Sequence, residues 1–295
     1  MARLLKKYQL KKTLIIGSSG FIGSHFNRTS DKIFLSRRLI DEKIIEIDFS
    51  KKIISKLDYN FDNVNSIIHL AGISHHGGLM DKEILHHNMK ITDNIFKFFS
   101  EINARKLIFI SSGKVYGSNK NFPICEDSNL SPYDVVGTTK IQQEEYLYKN
   151  CSNEKKVISV RLFNAYGKNQ GKNFVIAKIL NSLSSNELLT LGNIDVKRDF
   201  IYIKDVIKAL ELLINYKMTN NFETYNLSTS KATSIDKIIK IISKIKNKEL
   251  FFKISQDLKR IESNIEIGNN SKLKSIGWNF DYDIFDGLKD LLIPS

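Results

Sequence analysis

Gly17, Gly20 and Gly23 stand in the segment LIIGSSGFIGSHF, directly behind an apolar run. Glycine at such a junction permits a tight turn and lets backbone N–H groups approach a phosphate, and a helix starting there adds the positive end of its dipole. The spacing is GxxGxxG and differs from the GxGxxG fingerprint. Three glycines in this register after an N-terminal strand still favour a dinucleotide site over glycines that merely let helix and strand pack. About twenty residues further on, a site for NAD usually offers an acid to the ribose hydroxyls. Here the run KIFL leads instead into Ser36, Arg37 and Arg38. Two guanidiniums without an acid suit a 2′-phosphate, so NADP is the expected cofactor and NAD the alternative. Two exposed loop arginines are the plainer reading of the same pair.

The elements that must carry these residues follow from periodicity. Short apolar runs alternate with amphipathic stretches through the first half, the pattern of a parallel sheet covered by helices. Strands are expected at 13–17, 32–36, 44–48, 66–72, 106–112 and 157–162, with helices at 20–29, 81–101 and 132–150. Ser131 and Pro132 suit an N-cap and a first helical position. Beyond about residue 166 the alternation loosens, and no repeat or low-complexity linker separates the halves, so two subdomains in close contact are expected. The chain has 295 residues, 42% of them hydrophobic and 26% charged, enough for a well-buried core. The net charge of +13 is scattered along helix faces, as in KIIKIISKIKNK, which favours an anionic small-molecule substrate over nucleic acid. No run of about 18 apolar residues and no signal-peptide core is present, so a cytoplasmic protein without a membrane partner is expected. Cys125 and Cys151 have no CxxC spacing. His69, His75, His76, His86 and His87 cluster in sequence, but no carboxylate or cysteine is spaced to complete a known zinc site, and no metal is expected.

Nine segments in chain order carry a resemblance: GSSGFIG, Asp48-Phe49, HLAG at 69–72, Asn88, SSGKVYG at 111–117, GTTK at 137–140, RLFNAYG at 161–167, KRDFIYIKDV at 197–206, and KRIESNIEI with SKLKSIGW. Together they resemble the extended short-chain dehydrogenase/reductase family, the nucleotide-sugar epimerases, dehydratases and reductases. The resemblance covers nearly the whole chain. It implies an α/β fold, a Rossmann-like doubly wound parallel sheet with a smaller C-terminal α/β substrate-binding domain. Residues 1–165 would form the cofactor domain, 198–216 would return to it, and 166–295 would mainly hold the nucleotide sugar. The resemblance gives cofactor contacts to Gly17, Ser19, Gly20, Phe21, Ile22, Gly23, Asp48, Phe49, Leu70, Ala71, Gly72, Asn88, which would open a helix, Lys140 and Phe163. It gives the substrate Ser112, Asn164, Arg198 and Arg260, the two arginines as a diphosphate clamp from separate segments. Helices 81–101 and 132–150 resemble those that pair in family homodimers.

Ser112 and Lys140 match the family's catalytic serine or threonine and lysine. The family's tyrosine, four residues before the lysine, is Val136 here. That tyrosine passes a proton to or from the sugar oxygen, and valine has none to pass. Three accounts compete: Tyr133 reaches in from two turns before Lys140, Ser112, a water or Asp134 handles the proton, or turnover is lost. Family dehydratases carry Asp-Glu after the serine or threonine, whereas Gly113-Lys114 follow Ser112, which disfavours dehydration. The Arg37-Arg38 pair tips the choice to NADPH-dependent reduction of a nucleotide-linked 4-keto-(6-deoxy)hexose, in deoxysugar or surface glycan synthesis. The alternatives are a nucleotide-sugar 4-epimerase with bound NAD, a catalytically impaired protein that binds cofactor and sugar nucleotide, and an RNA-binding relative of the same fold.

Overall fold

The computed structural model describes residues 11–38, 42–51, 61, 63–75, 78–117, 119, 121–185, 188–258 and 263–293. In chain order these form β1 (Lys12–Ile16), β2 (Lys32–Ser36), β3 (Ile44–Glu46), β4 (Val64–His69), α1 (Asp81–Glu101), β5 (Lys106–Ser112), α2 (Val135–Asn150) and β6 (Lys156–Leu162). There follow β7 (Asn164–Tyr166), α3 (Val175–Ser185), β8 (Leu189–Leu191), β9 (Lys197–Tyr202), α4 (Ile203–Asn215), β10 (Phe222–Leu227) and β11 (Ala232–Ser234). Last come α5 (Ile235–Lys246), β12 (Phe252–Ile254), β13 (Ile265–Glu266), α6 (Ser271–Ser275) and α7 (Ile284–Leu292).

Seven strands form one sheet in the order β10-β6-β5-β4-β1-β2-β3, with the pairs from β3 across to β5 parallel. This is the 3-2-1-4-5-6 order of a doubly wound dinucleotide fold with one strand added at the far edge. Leu14, Ile15, Ile67, Ile68, Leu107 and Ile108 are fully buried, as expected of strands covered on both faces. Helix α1 spans the expected 81–101 and buries Ile84, Asn88, Ile91, Ile95 and Phe98, a stripe at helical spacing.

Two expected helices differ from those found. Residues 20–29 contain only a three-residue 3-10 turn, Gly23–His25, so β1 and β2 are joined without an α-helix. Phe26 is buried, and Asn27 and Thr29 turn the chain back through an Asn27 O–Thr29 N hydrogen bond. The short polar side chains of Asn27, Thr29, Ser30 and Asp31 compete with helical hydrogen bonding, and β2 begins before a second turn can form. Helix α2 starts at Val135, not at Pro132, with Asp134 as N-cap accepting from Gly137 N at 2.9 Å. Ser131 N is already committed to Val115 O.

The chain divides into two compact units. The first comprises the described residues of Met1–Ser111, Asp134–Val160 and Leu213–Thr224, and the second those of Ser112–Tyr133, Arg161–Leu212 and Tyr225–Ser295. The division differs from the expected boundary at 165: Ser112–Tyr133 groups with the second unit, and the segment returning to the first is Leu213–Thr224. Lys106 Nζ secures that return by donating to the carbonyls of Leu213, Ile214 and Tyr216 at the end of α4. In the second unit β11, β9 and β13 form a small sheet to which β7 adds through β9, and β12 pairs with β8.

Asp199 on β9 holds the second unit's turns together. Its Oδ1 accepts from Thr229 N and Oγ1 at 2.8 and 2.6 Å, and its Oδ2 from Ser230 N and Gly268 N at 2.9 and 3.3 Å. Burial pushes its carboxyl up to about 7 against the pull of these donors. Asp199→Asn sets an amide NH2 against two backbone N–H groups, and urea unfolding is expected to show a loss of about 3 kcal/mol.

Candidate active site

In the first unit the glycine turn leaves β1 with Gly17 at φ +88, a conformation that suits glycine. A Cβ there would lie 2.7 Å from Ala71 N, and one on Gly23 would lie 2.5 Å from Gly17 O. Both glycines therefore let backbone close on backbone. Gly20 has only its own turn nearby and is exposed, so the turn keeps an open concave side. Ser18 Oγ donates to Leu35 O, and Ser19 Oγ meets Ser36 Oγ at 2.5 Å, which ties the turn to the end of β2. Phe21 and Ile22 are half-buried in the turn, and Phe21 O lies 2.8 Å from His25 Nδ1.

Arg37 and Arg38 are exposed just past β2, and Arg38 N donates to Ser36 Oγ. Asp48 accepts from Ser50 N and Oγ at 2.9 and 2.6 Å. Burial alone would raise its carboxyl, but the Ser50 hydrogen bonds and the charges of Lys51 and Arg37 together hold it below the usual carboxylate range. Phe49 is buried, and its carbonyl accepts from Asn94 on α1. His87, on the same helix, is kept below its ordinary value by burial and then by the charge of Arg37. These residues fit a dinucleotide: an open glycine turn able to meet a pyrophosphate, with two exposed arginines just past β2.

At the end of β4, Leu70 N donates to Ile16 O, and Gly72 precedes a loop held by Asn88. Asn88 Oδ1 accepts from Ile73 N at 2.7 Å while its Nδ2 donates to Ile73 O. Asn88 thus lies two turns inside α1 and does not open the helix. Gln143 on α2 donates to Asn88 O and to Thr92 Oγ1, and Thr92 in turn meets His69 Nε2 at 3.0 Å. His69 is buried with its ring 5.3 Å from that of Phe109, and burial followed by the charge of Lys140 takes its pKa down to about 3. It is a neutral imidazole.

Lys140 extends from α2 to β5, where Nζ donates to Ile110 O at 2.8 Å and lies 4.5 Å from the centre of the Phe109 ring. Loss of hydration brings its pKa down to about 8, with Glu144 pulling the other way. Val136, one turn earlier, is 3% exposed. Tyr133 precedes the N-cap Asp134, so helical spacing does not place it on the face of Lys140, and its side chain is 47% exposed. The expectation that it lies two turns from Lys140 on one helix is corrected accordingly.

In the second unit Ser112 ends β5, and its Oγ accepts from Lys114 N at 3.2 Å. The following turn carries Tyr116, whose hydroxyl donates to Asn226 Oδ1 and accepts from Arg161 Nη1. Arg161 also donates to Glu126 O, and Glu126 Oε1 accepts from Asn226 N. Burial pushes the Tyr116 phenol up to about 12, so it is a structural group. Phe163 is buried and stacks on Tyr116 at 6.2 Å, while Asn164 is half-buried on β7 beside β9. Arg198 is largely buried, with Nε 3.5 Å from Glu266 Oε2 and Nη1 donating to Lys197 O. Arg260 lies outside the described residues.

A model of the NAD dependent epimerase/dehydratase family matches residues 13–228. The chain belongs to that family. A putative UDP-glucose 4-epimerase of Methanocaldococcus jannaschii is 27% identical over 94% of this chain and 95% of its own. A dTDP-4-dehydro-6-deoxyglucose reductase of Escherichia coli is 28% identical over 78% of this chain and 74% of its own. Among solved structures, the UDP-N-acetylglucosamine 4-epimerase from Methanobrevibacter ruminantium, in complex with UDP-N-acetylmuramic acid, superposes with a TM-score of 0.84. It has 24% identity and 97% and 98% coverage of the two chains, a likeness of fold.

As a member of the epimerase/dehydratase family, the chain takes a place among NAD-dependent enzymes of nucleotide sugars. Sequence reasoning missed the Arg161–Tyr116–Asn226–Glu126 network and the Arg198–Glu266 pair. Arg161 stood inside RLFNAYG, but its partners lie 45 and 35 positions away, and nothing local marks them. Among the described residues no helix is long and apolar enough to cross a membrane.

Proposed function

We propose that the protein is an NADPH-dependent reductase of a nucleotide-linked 4-keto-(6-deoxy)hexose. The observation that carries this reading is the β1–β2 connection. A dinucleotide held by a bare glycine turn forgoes the favourable end of a helix dipole, a term of about 0.3–2 kcal/mol. Weaker retention suits a cofactor that must leave after each turnover, as a reductase requires, whereas an epimerase regenerates its NAD in place. Arg37 and Arg38 would clasp a 2′-phosphate, while Asp48, already engaged by Ser50, would face the adenosine end. Bound NADPH would supply the hydride. Ser112 would hold the sugar oxygen, and Arg198 with Arg260 would grip the diphosphate. The relative from Escherichia coli, a reductase by name, supports the same class.

The protein as isolated is expected to carry well under one dinucleotide per chain and to oxidise NADPH over a nucleotide 4-keto sugar. Stoichiometric NAD in the denatured extract would instead favour a 4-epimerase, the second reading, which the nearly full-length match to the M. jannaschii protein supports. Replacing both Arg37 and Arg38 with Ala is expected to lower the NADPH over NADH preference in kcat/KM by about 100-fold, the loss of one or two charge-assisted hydrogen bonds. An unchanged ratio removes the case for NADP.

A further inference from the structure

We propose that the ammonium group of Lys140 itself donates the proton taken up by the substrate oxygen, in place of the phenol that Val136 lacks. The proposal rests on the reductase reading. Side chains on a helix lean toward its N-terminus, so the Lys140 stem lies along the turn that holds Val136. Its Nζ comes to rest at Ile110 O, two residues before Ser112 on β5. Ile110 accepts one of the three ammonium protons, and an ammonium has two more to offer.

The other candidates are each engaged or displaced. Asp134 caps α2 through Gly137 N, and Tyr133 stands outside the helix with an exposed ring. The hydroxyl of Tyr116 is closed between Asn226 and Arg161. His69 is buried and neutral, so it has no acidic proton at working pH. Ser112 is an alcohol that serves as an acceptor for Lys114 N and suits orientation of the oxygen.

Around Lys140 the charged and titratable neighbours are Glu144 on α2 and His69 on β4, while β5 presents the Phe109 ring and the Ile110 carbonyl. Poor hydration there brings the ammonium to about 8, close to the pH at which an acid must both hold and release its proton. Bound NADPH would supply the hydride to the carbonyl carbon, and as the carbon–oxygen π pair shifts to oxygen, Lys140 Nζ would give that oxygen its proton. An N–H bond breaks, an O–H bond forms, and the neutral amine regains a proton from water before the next turnover.

The experiment is single-turnover NADPH oxidation at saturating nucleotide 4-keto sugar from pH 6 to 10, for the unmodified protein, Lys140→Met and Lys140→Arg. NADPH dissociation constants are measured in parallel by fluorescence titration. The unmodified protein is expected to hold a constant rate below about pH 8 and to lose tenfold per unit above it, because only the protonated amine donates. Lys140→Met is expected to lose at least about 100-fold in single-turnover rate at saturating NADPH, a loss that remains after any weakening of the NADPH constant is taken into account. Lys140→Arg, which stays charged, is expected to be slow and without the limb near pH 8. A Lys140→Met rate within threefold of the unmodified protein, or the same limb in Lys140→Arg, overturns the proposal and leaves the reductase reading intact. If the unmodified protein binds NADPH and nucleotide sugar but oxidises nothing, both fail together.

Discussion

Val136→Tyr is expected to speed reduction of the keto sugar by about tenfold, because the phenol takes over from an ammonium that already donates the proton. The i, i+4 relation puts the new phenol beside Lys140, whose positive charge lowers a neighbouring phenol from its ordinary value near 10. The two groups then work as acid and electrostatic helper, and the pH limb assigned to Lys140 moves with the phenol. Because Val136 is only 3% exposed, a larger side chain meets packed neighbours, and a stability loss of about 1–3 kcal/mol is expected alongside the gain. The measurement is NADPH oxidation by both proteins, side by side, over nucleotide 4-keto sugars carrying uridine, thymidine, guanosine or cytidine. Turnover by the unmodified chain names the substrate and shows that a group other than a helix tyrosine supplies the proton. Silence from both proteins, with sugar nucleotide still bound, points to a binding protein that keeps the fold without the reaction.

Gly117→Ala is expected to be the most damaging single methyl group in the second unit. Gly117 has φ +47, and a Cβ there would lie 1.7 Å from Ser131 O and 2.8 Å from Pro132 Cα. Both obstacles are backbone, so no rotamer change relieves the clash, and the segment before α2 must move. Ser131 N would be drawn from Val115 O, and the turn after Ser112 would lose its closure. A cost of about 3–5 kcal/mol follows from combined strain and steric displacement. Urea unfolding checks it; a shift below about 1 kcal/mol would show that the loop has room the packing denies.

Much of the cofactor half is legible in the chain. The runs TLIIG, KIFLS and KLIFISS coincide within a residue with β1, β2 and β5, because strands buried on both faces are written as unbroken apolar stretches. The stripe in 81–101 coincides with α1 for the same local reason. That no α-helix follows the glycine turn was not legible, since GSSGFIGSHF has the composition of a helix start. Only the early onset of β2, set by pairing with β1 over Thr13–Ile16 and Lys32–Leu35, removes the room for it. The start of α2 was misplaced by three residues because Ser131-Pro132 and Asp134 are both competent N-terminal signals. In the fold Asp134 takes the cap, its Oδ1 accepting from Gly137 N.

By themselves the residues determine that this is a doubly wound α/β chain with a glycine turn, Ser36-Arg37-Arg38 in place of an acid at the end of β2 and no tyrosine four residues before Lys140. Those properties depend on residue type and short-range period, which a sequence states outright. Only the tertiary structure decides that Lys140 is poorly hydrated and bonded to Ile110, that Tyr116 is a closed structural phenol, and that Arg198 pairs with Glu266. Each of these depends on partners 30 or more positions away, and the pKa of a group follows the water and charge around it, which only the folded chain arranges.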